Sequence, residues 1–509
     1  MSWHLYINKD RLTEQPTQSR RWVRHFYFAL VMLLASTSRG SALDDDFKAQ
    51  QLFRNVLEQV QQNYVSPVQA QPLVETAIGA MLATLDPESG YLAAGARLPS
   101  ASFLAGDLPE LGFNLSFEPQ ALIVVSVADN SPADRLGFQT GDRILTVNNS
   151  PIQESSLYQA MNNLRQSILA GPITLLVQRN ERQVPMIVKI AKSTNPSINS
   201  RIGLKMVNFA LAEEAARKPA TAASAQSSID KNSLAAAANS SSTGSQIAPI
   251  AVVRIPRFSD STATELEAVL KQASTEAASV ATKGSVSPAS GGQFSGLILD
   301  LRSNPGGSTE GAIAASNLFI KSGLMTSLVP RNDLKPLETS GASPATVSGN
   351  ATAINQIMEY NANSAKASSL VSKTLPIVIL LDRGSSGATE IFAAALKDNH
   401  RAVIVGNRSF GQASFHKLIP LSNGGNLFLM VAKWRRPNGQ MINDGGIVPD
   451  IVVSNPIPPL QGIEFGKPKD SSTNAPNTNS LPPEDSQMLR GLDAIRSMVV
   501  YANLMGGKK

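Results

Sequence analysis

Apolar positions along this chain fall into blocks of different period. Between residues 46 and 63, Phe47, Leu52, Phe53, Val56, Leu57 and Val60 recur at helical spacing. After a break at Ser66-Pro67, a second helical block covers about 72–84 and stops at Leu85-Asp86-Pro87, so the two predict a helical hairpin. The period then changes. Leu122–Val127 and Ile144–Val147 predict strands, Leu157–Leu169 an amphipathic helix, and Ile173–Gln178 and Val184–Ile190 two further strands, which together outline a small β-rich domain. From about residue 250, strands (Ile250–Ile255, Phe294–Leu301, Leu375–Leu381, Ala402–Val405, Leu427–Ala432) alternate with helices (Thr262–Lys271, a helix ending near Ile320, Ala388–Lys397). That alternation predicts a largely parallel, covered sheet. A polar, Pro-rich stretch over 466–486 precedes a last helix at about 486–502.

Three stretches lack this patterning. Residues 210–246 contain twelve Ala and eight Ser among 37 positions, too little apolar bulk to offset the entropy of ordering. Residues 272–293 and 338–352 are similar but interrupt a patterned region, so they are read as loop insertions. The layout is therefore 1–42 as a leader or anchor, 43–103 as an N-terminal helical region and 104–193 as the β-rich domain. A low-complexity linker comes next at 194–249, then an α/β core at 250–456 with its two insertions, then a tail at 457–509. The fold class is multidomain α/β.

The leader changes how the charge is read. Arg20, Arg21, Arg24 and His25 precede a ten-residue apolar run, Phe26–Ala35, and small residues then lead to Ala42. This is the order of a secretory signal, and the run is short of the roughly 20 residues a membrane span needs. Cleavage after Ala42 and retention as an anchor both stay open, and both export the rest of the chain. The expected location is extracytoplasmic, periplasmic or secreted, with membrane attachment only through this segment. Of the net charge of +6, +4 lies in residues 1–42, so no general nucleic-acid surface is indicated. The chain has no Cys and four His, which excludes disulfides and a cysteine nucleophile and argues against a multi-His metal site. No metal and no cofactor are expected.

Three constellations could carry chemistry. Asp300–Gly307 runs from a buried strand into a glycine turn, where backbone N–H groups of Gly306 and Gly307 could face an oxyanion; an ordinary strand-to-helix turn explains it equally well. Leu381–Glu390 again reads strand, tight turn, helix. It is either a capped helix or a nucleophile turn presenting a hydroxyl such as Ser385 or Ser386. Glu110-Leu-Gly-Phe113 precedes a strand, and such loops can capture a terminal carboxylate through the N–H groups of Leu111, Gly112 and Phe113.

Taken together, the chain resembles the C-terminal processing peptidases, or tail-specific proteases, over most of residues 46–454. The resemblance rests on Asn63-Tyr-Val, TLDPESGYL at 84–92, Asn130-Ser-Pro-Ala133, Leu136-Gly-Phe138 and Gly141-Asp-Arg-Ile-Leu145. GLILDLRSNPGG at 296–307, SFGQAS at 409–414, IPLSNGG at 419–425 and GGIVPDIVV at 445–453 come after them in family order. It implies a PDZ domain over 104–192 and a serine peptidase core that cuts proteins after capturing their apolar carboxyl-terminal tails. It also implies a serine–lysine dyad, with an oxyanion pocket that would here fall on Gly306, Gly307 and Ala388. In this chain the nucleophile position falls on Gly387 and the base position on Gln412, while Asp398 matches an acidic residue that some members keep between them. Glycine has no hydroxyl, and a carboxamide does not take a proton near neutral pH. Three readings are open. The first is a silent peptide-binding member that serves an active homologous peptidase or an adaptor. The second is an active peptidase with a displaced Ser386 or Ser385 and a base among Lys397, His416 and Lys417. The third is a PDZ scaffold for assembly.

Overall fold

The computed structural model describes residues 47–118, 120–152, 156–180, 182–188, 201–207, 249–281, 294–331, 356–454 and 485–506. The leader, residues 210–246 and 338–352, and most of 466–486 lie outside these. The chain divides into two compact units at Ala77/Ile78. In the first, residues 47–63 form one helix, and a second helix, Ala70–Ala83, begins. Phe47, Leu52, Phe53 and Val56 are exposed. No described helix is long and apolar enough to cross a membrane.

The second unit opens with β1 (Gly90–Leu92), a short helix (Ala101–Leu104) and β2 (Asp107–Leu108). Next come β3 (Phe113–Glu118), β4 (Ala121–Val127), β5 (Arg143–Val147), β6 (Ser150–Pro151), the helix Leu157–Ala170, β7 (Ile173–Arg179) and β8 (Arg182–Val188). They form an antiparallel sheet in the order β2-β3-β4-β5-β7-β8, with β6 beside β5. Its core is built by alternation. Leu115, Leu122, Val124, Ile144, Leu175 and Val177 face Leu157, Met161, Leu164 and Ile168 of the helix, all buried.

The larger domain contains β9 (Gly203–Val207), β10 (Ile250–Arg254), β11 (Gly296–Asp300), β12 (Leu324–Pro330), β13 (Met358–Asn361), β14 (Ile377–Leu381), β15 (Val403–Gly406), β16 (Ser414–Pro420), β17 (Asn426–Arg435) and β18 (Ile451–Val452). One sheet has the order β18-β15-β14-β11-β10-β9 and is parallel except at β9. Its strands are apolar on both faces because both are covered. Ala251, Val253, Leu297, Leu299, Ile377 and Ile379 pack toward the helices Thr262–Ala281, Thr309–Asn317 and Ala388–Asp398. The alternate residues Val252, Ile298, Val378 and Leu380 meet Ile495 and Val499 of the helix Ser486–Gly506. A second, antiparallel sheet joins β1, β17, β12 and β13, with β16 also against β17.

Three sequence readings change. Thr262–Ala281 is ten residues longer than the expected helix and enters the stretch read as an insertion. Ala273 and Ala277 there are fully buried, so what looked like low complexity is close helix packing. β9 lies inside the stretch read as a linker and pairs residue for residue with β10. Its lone edge position and short length gave too little apolar alternation to detect. The antiparallel sheet was visible only as β17, because β16 is half-buried along most of its length and carries no clean period.

Candidate active site and peptide groove

β14 delivers the chain into Asp382–Gly387, and the helix Ala388–Asp398 leaves it. Gly387 has φ 58° and ψ −121°, a left-handed, strained conformation of the kind that lifts a nucleophile out of a strand-to-helix turn. A Cβ built there would lie 3.6 Å from the carbonyl oxygens of Gln412 and Pro305, ordinary contact distance. The backbone and the space for a side chain are present; the hydroxyl is not.

The neighbouring turn after β11 is locked against this elbow. Asn304 is fully buried. Its Nδ2 donates to the Ile255 carbonyl (2.8 Å), its Oδ1 accepts from the Gly306 N–H (2.9 Å), and its carbonyl accepts from the Ser386 N–H (3.0 Å). A side chain at Gly306 would meet the Ala388 nitrogen at 2.8 Å and the Ser386 carbonyl at 2.9 Å, so glycine is what lets the two turns approach. Gly306 and Ala388 are thus neighbours, with the Gly306 N–H engaged by Asn304. Gly307 bridges to Phe258.

Glu390 is the staple of the site. It is fully buried, and one carboxylate oxygen accepts from the N–H groups of both Gly387 (3.0 Å) and Gln412 (2.9 Å). The other accepts from the Gly411 N–H (2.7 Å) and the Ser409 hydroxyl. The nucleophile and base positions therefore share one oxygen. Burial pushes the Glu390 carboxyl up to about 7 against these four donors. Asp382, half-buried in the same turn, is also raised by desolvation, against donors from Ser303, Gly384 and Ser385.

The structure gives the remaining sequence candidates other duties. The Ser385 hydroxyl donates to the Leu301 carbonyl (2.9 Å) and accepts from the Asp382 N–H (3.1 Å). The Ser386 hydroxyl lies 3.3 Å from the Pro305 carbonyl, and no histidine or lysine reaches it among the described residues. Asp398 ends the helix that starts at Ala388, about 15 Å away along its axis, and forms a buried pair with Arg436 (2.6 Å). It is not brought to the elbow. Lys397 binds the Val448 carbonyl (2.7 Å) and Asp450 (2.7 Å), and Lys417 lies on β16 opposite Leu429. The Gln412 side chain donates to Glu88, which also faces His416. Sequence reading placed Glu390 only at the start of the helix and passed over Glu88, because the roles of both are defined by partners far along the chain.

The PDZ loop is placed at the start of β3, and its donors are engaged. The Leu111 and Gly112 N–H groups both donate to the Leu108 carbonyl (3.2 and 3.0 Å). β2 pairs with the edge of β3, with Leu108 opposite Phe113 and Asp107 opposite Asn114, and the Leu115 N–H donates to the Gly106 carbonyl (2.8 Å). The chain's own Gly106–Leu108 therefore lies where an added peptide strand would pair. Leu108 is fully buried, and Phe103 packs edge-on against Tyr158 with Arg165 over its ring. Asp107 is fixed by Arg257 and Asn114. Glu110 turns away to Arg165 (2.7 Å).

Comparison with known proteins matches two regions of the chain. Residues 249–453 match the model of peptidase family S41, and residues 109–190 match that of the PDZ domain. A carboxy-terminal-processing protease of Bartonella bacilliformis is 28% identical over 433 residues, 85% of this chain and 81% of that protein. The carboxy-terminal processing protease CtpB of Bacillus subtilis is 23% identical, covering 83% of this chain and 70% of that protein. The fold is similar to that of a photosystem II D1 C-terminal processing protease, with a TM-score of 0.51, 21% identity, and coverage of 80% of this chain and 95% of that one. Residues 249–453 thus match a peptidase family S41 core and residues 109–190 a PDZ domain, and along most of its length the chain is similar to carboxy-terminal processing proteases.

Proposed function

We propose that this protein is a catalytically silent, extracytoplasmic member of its family that binds apolar carboxyl-terminal tails and serves an active homologue or an adaptor. The observation that carries the reading is the elbow: its strained backbone holds a glycine, and the facing position holds a carboxamide. Covalent acyl transfer needs a nucleophile and a base within roughly 3 Å of each other. Gly387 supplies no nucleophile atom, and Gln412 can donate or accept a hydrogen bond but cannot take the proton. Support for tail binding comes from the PDZ fold and from the apolar pocket that Leu108 fills. A tail would enter by replacing Gly106–Leu108 along β3. Export is supported by the basic and apolar order of residues 20–42 and is checked by fusing residues 1–60 to a reporter that works only after translocation.

The unmodified protein, incubated with an unstructured substrate ending in apolar residues, is expected to leave it intact by mass spectrometry. Gly387→Ser or Gln412→Lys alone is expected to remain inactive, because the two groups act as a unit. Cleavage by the unmodified protein that is abolished by Ser386→Ala would replace this reading with a displaced-nucleophile peptidase.

A further inference from the structure

Beside the dyad positions lies a cluster that the peptidase scaffold does not use. Asp86 and Glu88 sit in the turn before β1, and His416 sits on β16; β17 joins the two by pairing with both strands. One ligand atom from each of the three lies within 4.8 Å of the others. Glu88 is 8% exposed. Its Oε1 accepts from the Gln412 amide, whereas its Oε2 is buried with no hydrogen-bond partner. The His416 Nε2 is likewise buried and without a hydrogen-bond partner, although it lies only 3.1 Å from that same Oε2. Two such atoms at hydrogen-bond distance that do not form a hydrogen bond are misaligned. The two atoms are close enough for a single ion to bridge them.

We propose that Glu88, His416 and Asp86 bind a divalent transition-metal ion of the zinc type. Two ligands held at the zinc distance of about 2.0–2.1 Å with tetrahedral angles stand about 3.3 Å apart, close to the spacing of Oε2 and Nε2. An imidazole with two carboxylates is a donor set for zinc and its neighbours and not for magnesium, which prefers oxygen ligands alone. The two carboxylates also balance the double charge of the ion. Each ligand is already oriented by an outer contact, as metal ligands are. Gln412 holds Glu88. Asp86 accepts from the N–H groups of Glu88 (2.9 Å) and Ser89 (2.6 Å) and from the Ser89 hydroxyl (2.7 Å). The His416 ring stacks on Phe428, with centroids 4.7 Å apart. Asp86 is only half-buried, which leaves a route for the ion and a position for water. A search for several histidines could not find this site, because its one histidine and two carboxylates are some 330 residues apart.

The test is calorimetric titration of the metal-stripped full-length protein with Zn2+, with Mg2+ as a parallel probe. One saturable Zn2+ site is expected, weakened at least tenfold by His416→Gln and by Glu88→Gln, unchanged by His400→Ala, and not reproduced by Mg2+. Circular dichroism and thermal melting without metal establish that each variant is folded. A zinc isotherm that is the same in the unmodified protein and in folded His416→Gln overturns the proposal, as does absence of a saturable site. The readout is metal binding alone, so it stands apart from the test for peptide cleavage.

Discussion

The elbow and the PDZ groove of this protein differ in opposite ways from what covalent cleavage and strand addition would need. At Gly387 the backbone, the space and the neighbouring amides are arranged, and the reacting atoms are missing. Along β3 the donors and the apolar pocket are present, and the chain's own Gly106–Leu108 engages them. Missing atoms cannot be restored by any change of conformation. Engaged donors can be released by one. In the proposed function, the first region accounts for the lack of peptidolysis and the second for the conditions of tail binding.

The largest expected effect tests whether the elbow is held by Glu390. Glu390→Ala strands four donors and leaves a cavity, and is expected to lower unfolding free energy by about 3–5 kcal/mol in urea titration. A loss below about 1 kcal/mol would mean that the elbow keeps its shape without this carboxylate.

The same group gives a pH signature. Its folded value of about 7 lies above the ordinary 4.5, so the folded state holds this proton more tightly than the unfolded chain does. The stability it contributes is complete below pH 4.5 and is lost as pH rises through 7, by about 3 kcal/mol in order of magnitude. Asp382 is shifted in the same direction. Urea midpoints measured from pH 5 to 8 should fall with rising pH, and Glu390→Gln should flatten but not abolish that fall. A parallel profile in the variant would assign the dependence to other groups.

The groove is tested by loosening its occupant. Asp107→Ala removes the ion pair with Arg257 and the contact with Asn114, and so weakens β2 on β3. Affinity for a free-acid, apolar-tailed peptide is expected to rise about tenfold, equivalent to about 1.4 kcal/mol, with little gain for the amidated peptide. Equal affinity before and after the change would show that Gly106–Leu108 does not compete for the edge of β3. The smallest effect is expected from Glu110→Gln. Its partner Arg165 is half-exposed, so stability should change by no more than about 0.5 kcal/mol, and peptide affinity should hardly move.

These regions also differ in how legible they were. The elbow and the glycine turn could be read because buried strands, turn residues and helix starts are local signals: β11, β14 and the helix Ala388–Asp398 lie within a few residues of expectation. The roles of Gly387 and Gln412 came from motif order, since nothing in their own residue types points to chemistry. Glu390, Glu88 and His416 could not be read, because their meaning depends on pairings such as β16 with β17 and β1 with β17. Asp398 was misplaced for a related reason: sequence order put it between the two dyad positions, and helical rise carries it to the far end. The Leu111–Phe113 loop was recognised, but the carbonyl that occupies it comes from only three residues upstream, a closeness that pattern alone does not reveal.

In the proposed tail-binding role, Gly106–Leu108 is also a tethered competitor. A segment joined to its own binding site by Pro109 and Glu110 is present at an effective concentration in the millimolar range or above, whatever the concentration of protein. A free tail gains the groove only to the extent that its local concentration and intrinsic affinity exceed that internal standard. On that reading, isolated short tails at low concentration are screened out. Tails delivered beside the domain, on a bound partner or in a crowded assembly, meet the same groove on far better terms.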